Sequence, residues 1–311
     1  MNIERILVTG RLYKEIEHIV EQKSLHQEFR FLAEDEIGKE DVQWADAYVS
    51  FGPTEQMSNY KGVKWVHSLG AGVDSFLRRG TWDEEVLLTR TICSFGQRMS
   101  EYCLSYVLRD VQQHDVYAKQ QKQKEWHSLA PVMLSTQTVV IYGTGEIGSH
   151  IGRVLSQLGV TVYGVSASGA QKDGFKQVVS RSNENEVVNE ANWIISTLPL
   201  TSETNKIFNE AFFSQLRSAC FMNVGRGGTV ELEALRKALE TGFVRQAVLD
   251  VFEEEPLPKD LWLWNHPNVA VTPHISAVTT PEEAVACFVD TLERIEKGQP
   301  LSNKVNVQRG Y

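Results

Sequence analysis

The chain has 311 residues, of which 42% are hydrophobic and 23% charged, an ordinary globular composition with length for about two domains. Its net charge of −9 argues against a nucleic-acid or anionic-membrane partner, because either would favour a basic surface. The four cysteines (Cys93, Cys103, Cys220 and Cys287) have neither metal-site nor C-x-x-C spacing, so we expect reduced thiols and no metal site. The first residues hold too short an apolar run for a signal peptide, and no run approaches the roughly 20 apolar residues of a membrane span. These observations predict a cytoplasmic protein.

Short apolar runs alternate with longer helical patterns along the chain, which is typical of βαβ units built on parallel sheets. In the first stretch we predict five strands, at residues 5–9, 29–33, 47–51, 63–68 and 86–90. A segment without Gly or Pro follows from about residue 97 to 124, and its periodic apolar residues predict one extended helix.

A second series of six strands is predicted after this helix, at residues 138–142, 161–165, 193–197, 220–224, 247–251 and 269–272. The last helix of the chain has clear end signals. Thr280 is its expected N-cap, Pro281 its first helical residue, Glu283 closes a capping box, and Gly298 lies past its end.

The strongest local motif follows the first strand of the second series, which runs into G-x-G-x-x-G at Gly143, Gly145 and Gly148 and then into a helical pattern. In this context the first glycine permits a tight turn, the second lets the backbone approach a pyrophosphate, and the third lets helix and strand pack closely. The anion would lie on the helix N-terminus. A structural glycine turn is the alternative, but the strand–turn–helix context favours a dinucleotide site.

The end of the next strand bears on which dinucleotide binds. NAD enzymes usually place an acid there to bind the ribose hydroxyls, whereas this chain has Ser166, Ala167 and Ser168, with no acid until Asp173. Small hydroxyl residues leave room for a 2′-phosphate, and Lys172 is long enough to reach it. The pattern favours NADP, and a site that accepts either NADP or NAD is the alternative.

Three later segments each place a polar residue where a predicted strand ends: Arg226, Glu255 and His274. Because the carboxyl ends of parallel strands converge on the ligand crevice, we expect these side chains to share one site. Arginine offers a planar fork of donors to a carboxylate and polarises a 2-oxo group. His274 can donate a proton to the substrate oxygen, and Glu255 would favour the charged imidazole. A surface ion pair, a solvated acid and a buried cap are the respective alternatives.

The segments 143–148, 198–204, 223–227, 250–256 and 272–274 together resemble the D-isomer-specific 2-hydroxyacid dehydrogenase family, in its catalytic order Arg–Glu–His. The resemblance covers nearly the whole chain and is closest to the glyoxylate/hydroxypyruvate reductase branch. It implies two doubly wound parallel-sheet α/β domains. A Rossmann cofactor domain at 96–277 is inserted into a flavodoxin-like substrate domain at 1–95 and 278–311. The helix near 97–124 would pair two subunits into a homodimer.

The resemblance also implies individual contacts. Besides the loop glycines and Ser166–Ser168 region, the cofactor contacts carried over from the family are Thr144, Glu146, Ile147, Leu198, Pro199, Thr204, Val224, Gly225 and Asp250, the last towards the carboxamide. In the substrate domain, the N–H groups of Ala71 and Gly72 would bind the substrate carboxylate opposite Arg226. His274 would also contact the substrate. The chain departs from the family where serine replaces an arginine after the second strand, and where His274 is followed by Ile-Ser-Ala instead of x-Gly-Gly.

The leading functional hypothesis is reduction of glyoxylate or hydroxypyruvate with NADPH or NADH. A phosphoglycerate-dehydrogenase-like activity, or reduction of a branched 2-oxo acid, on the same scaffold is an alternative, since the pocket decides the substrate. A dinucleotide-sensing protein without catalysis is a second alternative. Trp126 and Trp264 are candidates for the pocket wall, with packing at a dimer surface or in the core as the other interpretation.

Overall fold

The structure is a computed structural model, and it describes residues 1–56, 60, 62–77 and 82–310. The chain divides into two compact units. The first unit comprises Met1–Phe95 and Val278–Tyr311, and the second unit comprises Gly96–Ala277.

Twelve strands lie in the described part of the chain. They are β1 (Arg5–Thr9), β2 (Glu28–Leu32), β3 (Ala47–Ser50), β4 (Trp65–Ser68), β5 (Leu87–Arg90), β6 (Thr138–Tyr142), β7 (Thr161–Ser166), β8 (Gln177–Ser180), β9 (Trp193–Ser196), β10 (Ala219–Asn223), β11 (Val244–Leu249) and β12 (Val269–Val271).

Ten α-helices lie in the same ranges. They are α1 (Tyr13–Glu21), α2 (Lys39–Trp44), α3 (Asp74–Leu77), α4 (Phe95–Val111), α5 (His114–Gln123), α6 (Glu146–Gln157), α7 (Asn185–Val188), α8 (Glu210–Phe213), α9 (Leu232–Thr241) and α10 (Pro281–Glu296). Over the described residues, none of these helices combines the length and the apolar character that crossing a membrane requires.

The five strands of the first unit form a parallel sheet in the order β2-β1-β3-β4-β5, the flavodoxin-like order. Helix α10 completes its core, and the Phe288 ring of α10 stacks on Trp65 of β4 at 5.4 Å between centroids. The expected capping box of α10 is present, because Thr280 Oγ1 accepts from the N–H of Glu283 and the Glu283 carboxylate accepts from the N–H of Thr280, both at 3.3 Å.

The seven strands of the second unit form a parallel sheet in the order β12-β11-β10-β9-β6-β7-β8. Counted from β6, this is the Rossmann order with a seventh strand added, and the strand order reverses between β6 and β9. The predicted fold class is therefore confirmed for both sheets. The prediction missed β8, a four-residue edge strand in which only Val178 and Val179 are buried, too short a pattern to recognise.

The single long helix predicted from 97 to 124 is wrong. The chain forms α4 and α5 instead, and Gln113 between them has a left-handed φ of +58°. The apolar periodicity explains the break: α4 buries Met99, Cys103 and Val107 in the core against the sheet and also buries Val111, whereas α5 has no buried residue. The buried face that stabilises α4 therefore ends at Val111, and the first helix ends there although the sequence contains neither Gly nor Pro at this point.

A buried histidine ties β4 to β5 in the first unit. The Trp65 indole N–H donates to the Thr89 hydroxyl at 2.8 Å, and that hydroxyl lies 2.7 Å from His67 Nδ1. The Thr91 hydroxyl donates to the Ser68 carbonyl at 3.0 Å, so towards His67 Nε2, 3.3 Å away, it can only accept. Nε2 therefore carries the ring hydrogen, and Nδ1 accepts from Thr89. Burial without a charged partner lowers the pKa of His67 to about 3.

Stability of the first unit should consequently fall in mild acid. The unfolded chain takes up a proton on His67 below about pH 6.5, whereas the folded chain does so only near pH 3. As pH falls between these values, protonation stabilises the unfolded chain alone, so the free energy of unfolding decreases. Between pH 7 and pH 5 the wild type should lose about 2 kcal/mol more unfolding free energy than a His67→Gln variant. Urea unfolding at both pH values measures this difference, and parallel losses in the two proteins would contradict it.

Candidate active site

The turn after β6 is built so tightly that two of its positions accept only glycine. Gly143 has a φ of +92°, and a Cβ on it would lie 2.7 Å from Thr197 Oγ1. A Cβ on Gly148, in the first turn of α6, would lie 1.8 Å from the Gly143 carbonyl oxygen. Helix α6 therefore starts in direct contact with the turn.

The middle glycine faces open space. Gly145 is the exposed N-cap residue of α6, and a Cβ on it would meet no atom within 4 Å. The Ser149 hydroxyl donates to the Thr144 carbonyl at 3.0 Å and holds the turn. The first-turn N–H groups of α6, those of Glu146, Ile147 and Gly148, have no intrahelical acceptor by helix geometry. The loop thus offers room and donors for a dinucleotide pyrophosphate, so its residues fit the cofactor that the motif implies.

The residues after β7 carry no acid. The Ser166 hydroxyl oxygen accepts from the N–H of Gly169 at 3.1 Å, and the Ser168 oxygen accepts from the N–H of Ala170 at 3.2 Å. Both hydroxyls keep their own protons to donate. Ala167 and Ser168 are exposed, as is Lys172. The segment is open to a ligand and offers hydroxyl donors without a carboxylate to repel a phosphate.

The loop after β10 carries Arg226. Its backbone is held by two buried side chains, because Asn223 Nδ2 and Thr229 Oγ1 both donate to the Arg226 carbonyl, at 2.9 and 2.7 Å. The Arg226 guanidinium donates to the Gly225 carbonyl at 2.7 Å. A Cβ on Gly225 would lie 2.4 Å from the Leu198 carbonyl oxygen, so this loop packs directly on the loop after β9.

The loop after β9 contains Leu198, Pro199 and Thr204. The Thr204 hydroxyl donates to the Pro199 carbonyl at 2.6 Å and accepts from the N–H of Thr201 at 2.8 Å. The hydroxyl of Thr204 therefore closes its own loop, and any cofactor contact by this residue uses its remaining surface. Val224, next to this loop, is buried, and its N–H donates to the Ser196 carbonyl at 3.0 Å.

His274 and Glu255 lie in hydrogen-bonding contact, with 2.9 Å between His274 Nδ1 and Glu255 Oε2. The other carboxylate oxygen accepts from the N–H of Phe252 at 2.8 Å. Although partial burial alone would raise the pKa of Glu255, the hydrogen bonds from His274 and Phe252 and the charge of Arg226 lower it below its ordinary value. Glu255 is therefore an anion at neutral pH, so Nδ1 donates to it and Nε2 faces away from the pair.

Asp250 shapes the backbone at His274. The fully buried Asp250 carboxylate accepts hydrogen bonds from the Thr272 hydroxyl at 2.6 Å and from the N–H groups of Ile275 and Ser276 at 2.8 and 2.9 Å. The Asp250 carbonyl accepts from the N–H of His274 at 2.9 Å, and His274 has a left-handed φ of +55°. This conformation is rare for a side chain with a Cβ, and the surrounding bonds keep it.

Sequence reasoning placed Asp250 at the site but missed this role, together with the contact between the Tyr102 hydroxyl and Thr272 Oγ1 at 2.6 Å. Because Asp250 is 0% exposed and its carboxylate already accepts from three donors, the role that the structure gives it is to hold the backbone around His274. No local motif marks the arrangement, because it depends on the pairing of β11 with β12.

One more close approach brings the Arg226 loop to the Glu255 segment. A Cβ on Gly227 would lie 1.9 Å from the backbone carbon of Phe252, the residue whose N–H anchors Glu255. Strands β10, β11 and β12 are also neighbours in the sheet, and the three loops leave their carboxyl ends. Arg226, Glu255 and His274 are therefore brought to one edge of the second unit, the edge that carries the glycine loop after β6.

The remaining residues that the sequence suggested for the substrate site or the pocket wall are Ala71, Gly72, Trp126 and Trp264. Ala71 and Gly72 are half-buried residues of the first unit, between β4 and α3. Trp126 is 98% exposed, so the interpretation that it packs in the core is wrong. Trp264 is 51% exposed, and its indole N–H donates to the Pro258 carbonyl at 2.8 Å.

The chain is similar in sequence to a known family of enzymes. Residues 104–276 match the D-isomer specific 2-hydroxyacid dehydrogenase, NAD binding domain, which is more than half of the chain. The chain belongs to this family. It is 37% identical over 279 residues to glyoxylate/hydroxypyruvate reductase A of Yersinia enterocolitica, covering 87% of this chain and 89% of the relative.

Two solved structures of 2-hydroxyacid dehydrogenases are similar over the whole chain. One is an NADPH-dependent glyoxylate/hydroxypyruvate reductase from Sinorhizobium meliloti in complex with NADP and sulfate, with a TM-score of 0.89, 28% identity and coverage of 99% of this chain and 100% of that chain. The other, from Xanthobacter autotrophicus in complex with NADPH and MES, has a TM-score of 0.90, 27% identity and full coverage of both chains. As a 2-hydroxyacid dehydrogenase the protein is an oxidoreductase that uses a nicotinamide dinucleotide, as the glycine loop predicted.

Proposed function

We propose that this 2-hydroxyacid dehydrogenase reduces a small 2-oxo acid of the glyoxylate or hydroxypyruvate type to the 2-hydroxy acid. The observation that carries the proposal is the His274–Glu255 pair, with 2.9 Å between Nδ1 and Oε2, beside the cationic Arg226 in the unit that holds the dinucleotide loop. The names of the relatives support the same substrate class.

Each residue of this group has a distinct part. Arg226 binds the substrate through its planar donors, which contact the carboxylate and polarise the 2-oxo group. The bound cofactor supplies the hydride that C2 accepts. His274, as the imidazolium, donates its Nε2 proton to the substrate oxygen as negative charge develops there and is left as the neutral ring with hydrogen on Nδ1. Glu255 orients the ring through Nδ1 and stabilises the imidazolium before the transfer. Ala71 and Gly72 bind the substrate carboxylate through their N–H groups.

For the cofactor we propose NADP as the preferred form, with NAD accepted less well. The support is the hydroxyl-bearing, acid-free segment at Ser166–Ser168 and the exposed Lys172 near it in sequence. The remaining proposed contacts are those of the glycine loop, of the Leu198–Thr204 loop, and of Val224, Gly225 and Asp250.

A substrate panel tests the activity. Oxidation of NADPH and of NADH is measured with glyoxylate, hydroxypyruvate, phosphohydroxypyruvate and a branched 2-oxo acid. We expect the highest kcat/KM for glyoxylate or hydroxypyruvate with NADPH. A preference for the phosphorylated or branched acid would move the substrate to that class, and dinucleotide binding without turnover of any acid would contradict the proposed reaction.

We also propose that the protein acts as a cytoplasmic homodimer formed through the surface of α4, α5 and the segment 125–133. That segment exposes four large apolar side chains within eight residues, Trp126 and Met133 at 98% and 70%, and Leu129 and Val132 at 41% each, and burial against a second chain would remove them from water. Four cysteines without a disulfide suit a reducing compartment. Sedimentation should give twice the chain mass of 35.1 kDa, and a Trp126→Ser variant should shift the mass towards one chain.

A further inference from the structure

In the first unit, the segment between β4 and α3 has an unusual pattern of hydrogen bonds. The four consecutive carbonyls of residues 69–72 all lie within hydrogen-bonding distance of a side-chain donor, and three side chains supply these donors. The Thr279 hydroxyl donates to Leu69 at 2.9 Å, and Arg90 Nη1 donates to Ala71 at 3.1 Å. The Ser68 hydroxyl lies 3.1 Å from the Gly70 carbonyl oxygen and 3.0 Å from that of Gly72, and its single proton can be donated to either of them.

The N–H groups of the same segment are used differently. The N–H of Leu69 donates to the Ser50 carbonyl at 2.8 Å, and that of Gly70 to Ser68 Oγ at 3.3 Å. Within residues 1–56, 60, 62–77 and 82–310, no atom accepts a hydrogen bond from the N–H of Ala71 or Gly72. Both residues are partly exposed. The protein thus fixes the carbonyls and leaves two neighbouring N–H groups for an anion.

Arg90 affects the N–H of Gly72 through the peptide group that joins Ala71 to Gly72. The carbonyl of Ala71 and the N–H of Gly72 belong to a single peptide unit. A cationic donor at the carbonyl oxygen draws electron density from the amide nitrogen, so the N–H at the other end becomes a stronger donor. A neutral hydroxyl, as used at the other three carbonyls, has a weaker effect of the same kind.

Arg90 is itself firmly placed at the end of β5. Its N–H donates to the Asn303 carbonyl at 3.1 Å, and its carbonyl accepts from Asn303 Nδ2 at 3.0 Å. Asn303 is 6% exposed, and its amide also donates to the Thr291 hydroxyl of α10 at 2.7 Å. The backbone that carries the guanidinium is therefore fixed through both its N–H and its carbonyl.

We propose that Arg90 is a positioning residue that tightens binding of the substrate carboxylate by polarising the Ala71–Gly72 peptide, with Thr279 fixing the Leu69–Gly70 peptide at the start of the same segment. The inference rests on the proposed function, in which Ala71 and Gly72 bind that carboxylate. Arg90 needs no contact with the substrate, because its charge acts through the peptide group.

The test compares Arg90→Met with Arg90→Lys. In Arg90→Met, KM for glyoxylate should rise about tenfold, which corresponds to about 1.4 kcal/mol, while kcat stays within a factor of two and the Kd for NADPH is unchanged. Arg90→Lys keeps the charge and should recover part of the loss. Arg30→Met, on the opposite edge strand β2, is the matched control and should keep the wild-type KM.

A second pair covers the case in which Arg90→Met does not fold. Thr279→Val removes the hydroxyl that donates to Leu69 and should raise KM with little change in kcat, whereas Thr279→Ser should restore the wild-type value. Wild-type protein that turns over no 2-oxo acid would contradict the proposed function. Active wild-type protein with an unchanged KM in folded Arg90→Met, or in Thr279→Val where the former does not fold, would overturn this inference alone.

Discussion

Replacing His274 with glutamine is expected to lower kcat for glyoxylate reduction by about a hundredfold to ten thousandfold, the range that a positioned general acid contributes. Glutamine keeps a polar group near Glu255, which is 2.9 Å from the native Nδ1, but it has no proton to release at neutral pH. The Kd for NADPH should stay at the wild-type value, because the glycine loop is untouched. Stopped-flow or steady-state oxidation of NADPH, with fluorescence titration of the cofactor, measures both quantities.

The control for this variant is His18→Gln. His18 is exposed on α1, and its ring nitrogen lies 3.0 Å from the Gln22 side-chain amide, so its loss removes a surface imidazole without changing the second unit. It should show wild-type kinetics. If His274→Gln kept wild-type kcat, the proton would come from another source, and the proposed role of the His274–Glu255 pair would be wrong.

The second large effect is expected at Arg226. Arg226→Lys keeps the positive charge but replaces a planar fork of donors by a single ammonium group on a flexible stem. We expect kcat/KM for glyoxylate to fall about a hundredfold to a thousandfold, comparable to the loss of a preorganised donor at a reacting oxygen. The measurement is the dependence of the initial rate on glyoxylate concentration at saturating NADPH.

Arg236→Lys is the matched change on α9, where Arg236 pairs with Glu240 at 3.2 Å on the surface. It should leave kcat/KM unchanged. An Arg226→Lys enzyme as efficient as the Arg236→Lys control would show that charge alone suffices, and bidentate binding would have to be abandoned.

The strands were predictable because buried parallel strands are continuous apolar runs, and the sequence pattern located eleven of the twelve that the described residues form. It missed β8, which has two buried valines, and it joined α4 to α5 because no Gly or Pro marks the left-handed Gln113. A helix that ends because its buried face ends has no residue in the local sequence that marks the position. Strand ends also moved by a residue or more, as at β7, which continues to Ser166.

At the site, residue types at three predicted strand ends led us to predict that Arg226, Glu255 and His274 act as a group, because together they supply the donors and the acid that reduction of a 2-oxo acid needs. The left-handed backbone of His274 and the three donors to the Asp250 carboxylate were not predictable. Both depend on how β11 and β12 pair and on which way a buried carboxylate turns. The supports of residues 69–72 come from Thr279 and Arg90, which are far apart in sequence, and no local pattern links them.

The return of residues 278–311 to the first unit has a consequence for synthesis on the ribosome. The core of the first unit includes Val285, Phe288 and Leu292 of α10, which are translated after the whole of Gly96–Ala277. At about 5–20 residues per second, the nascent amino-terminal sheet waits on the order of tens of seconds for this helix. During that interval Trp65 lacks the ring that covers it, and the inserted unit, continuous in sequence, is free to fold first. The order of translation therefore leaves the amino-terminal sheet without part of its core until α10 has been made.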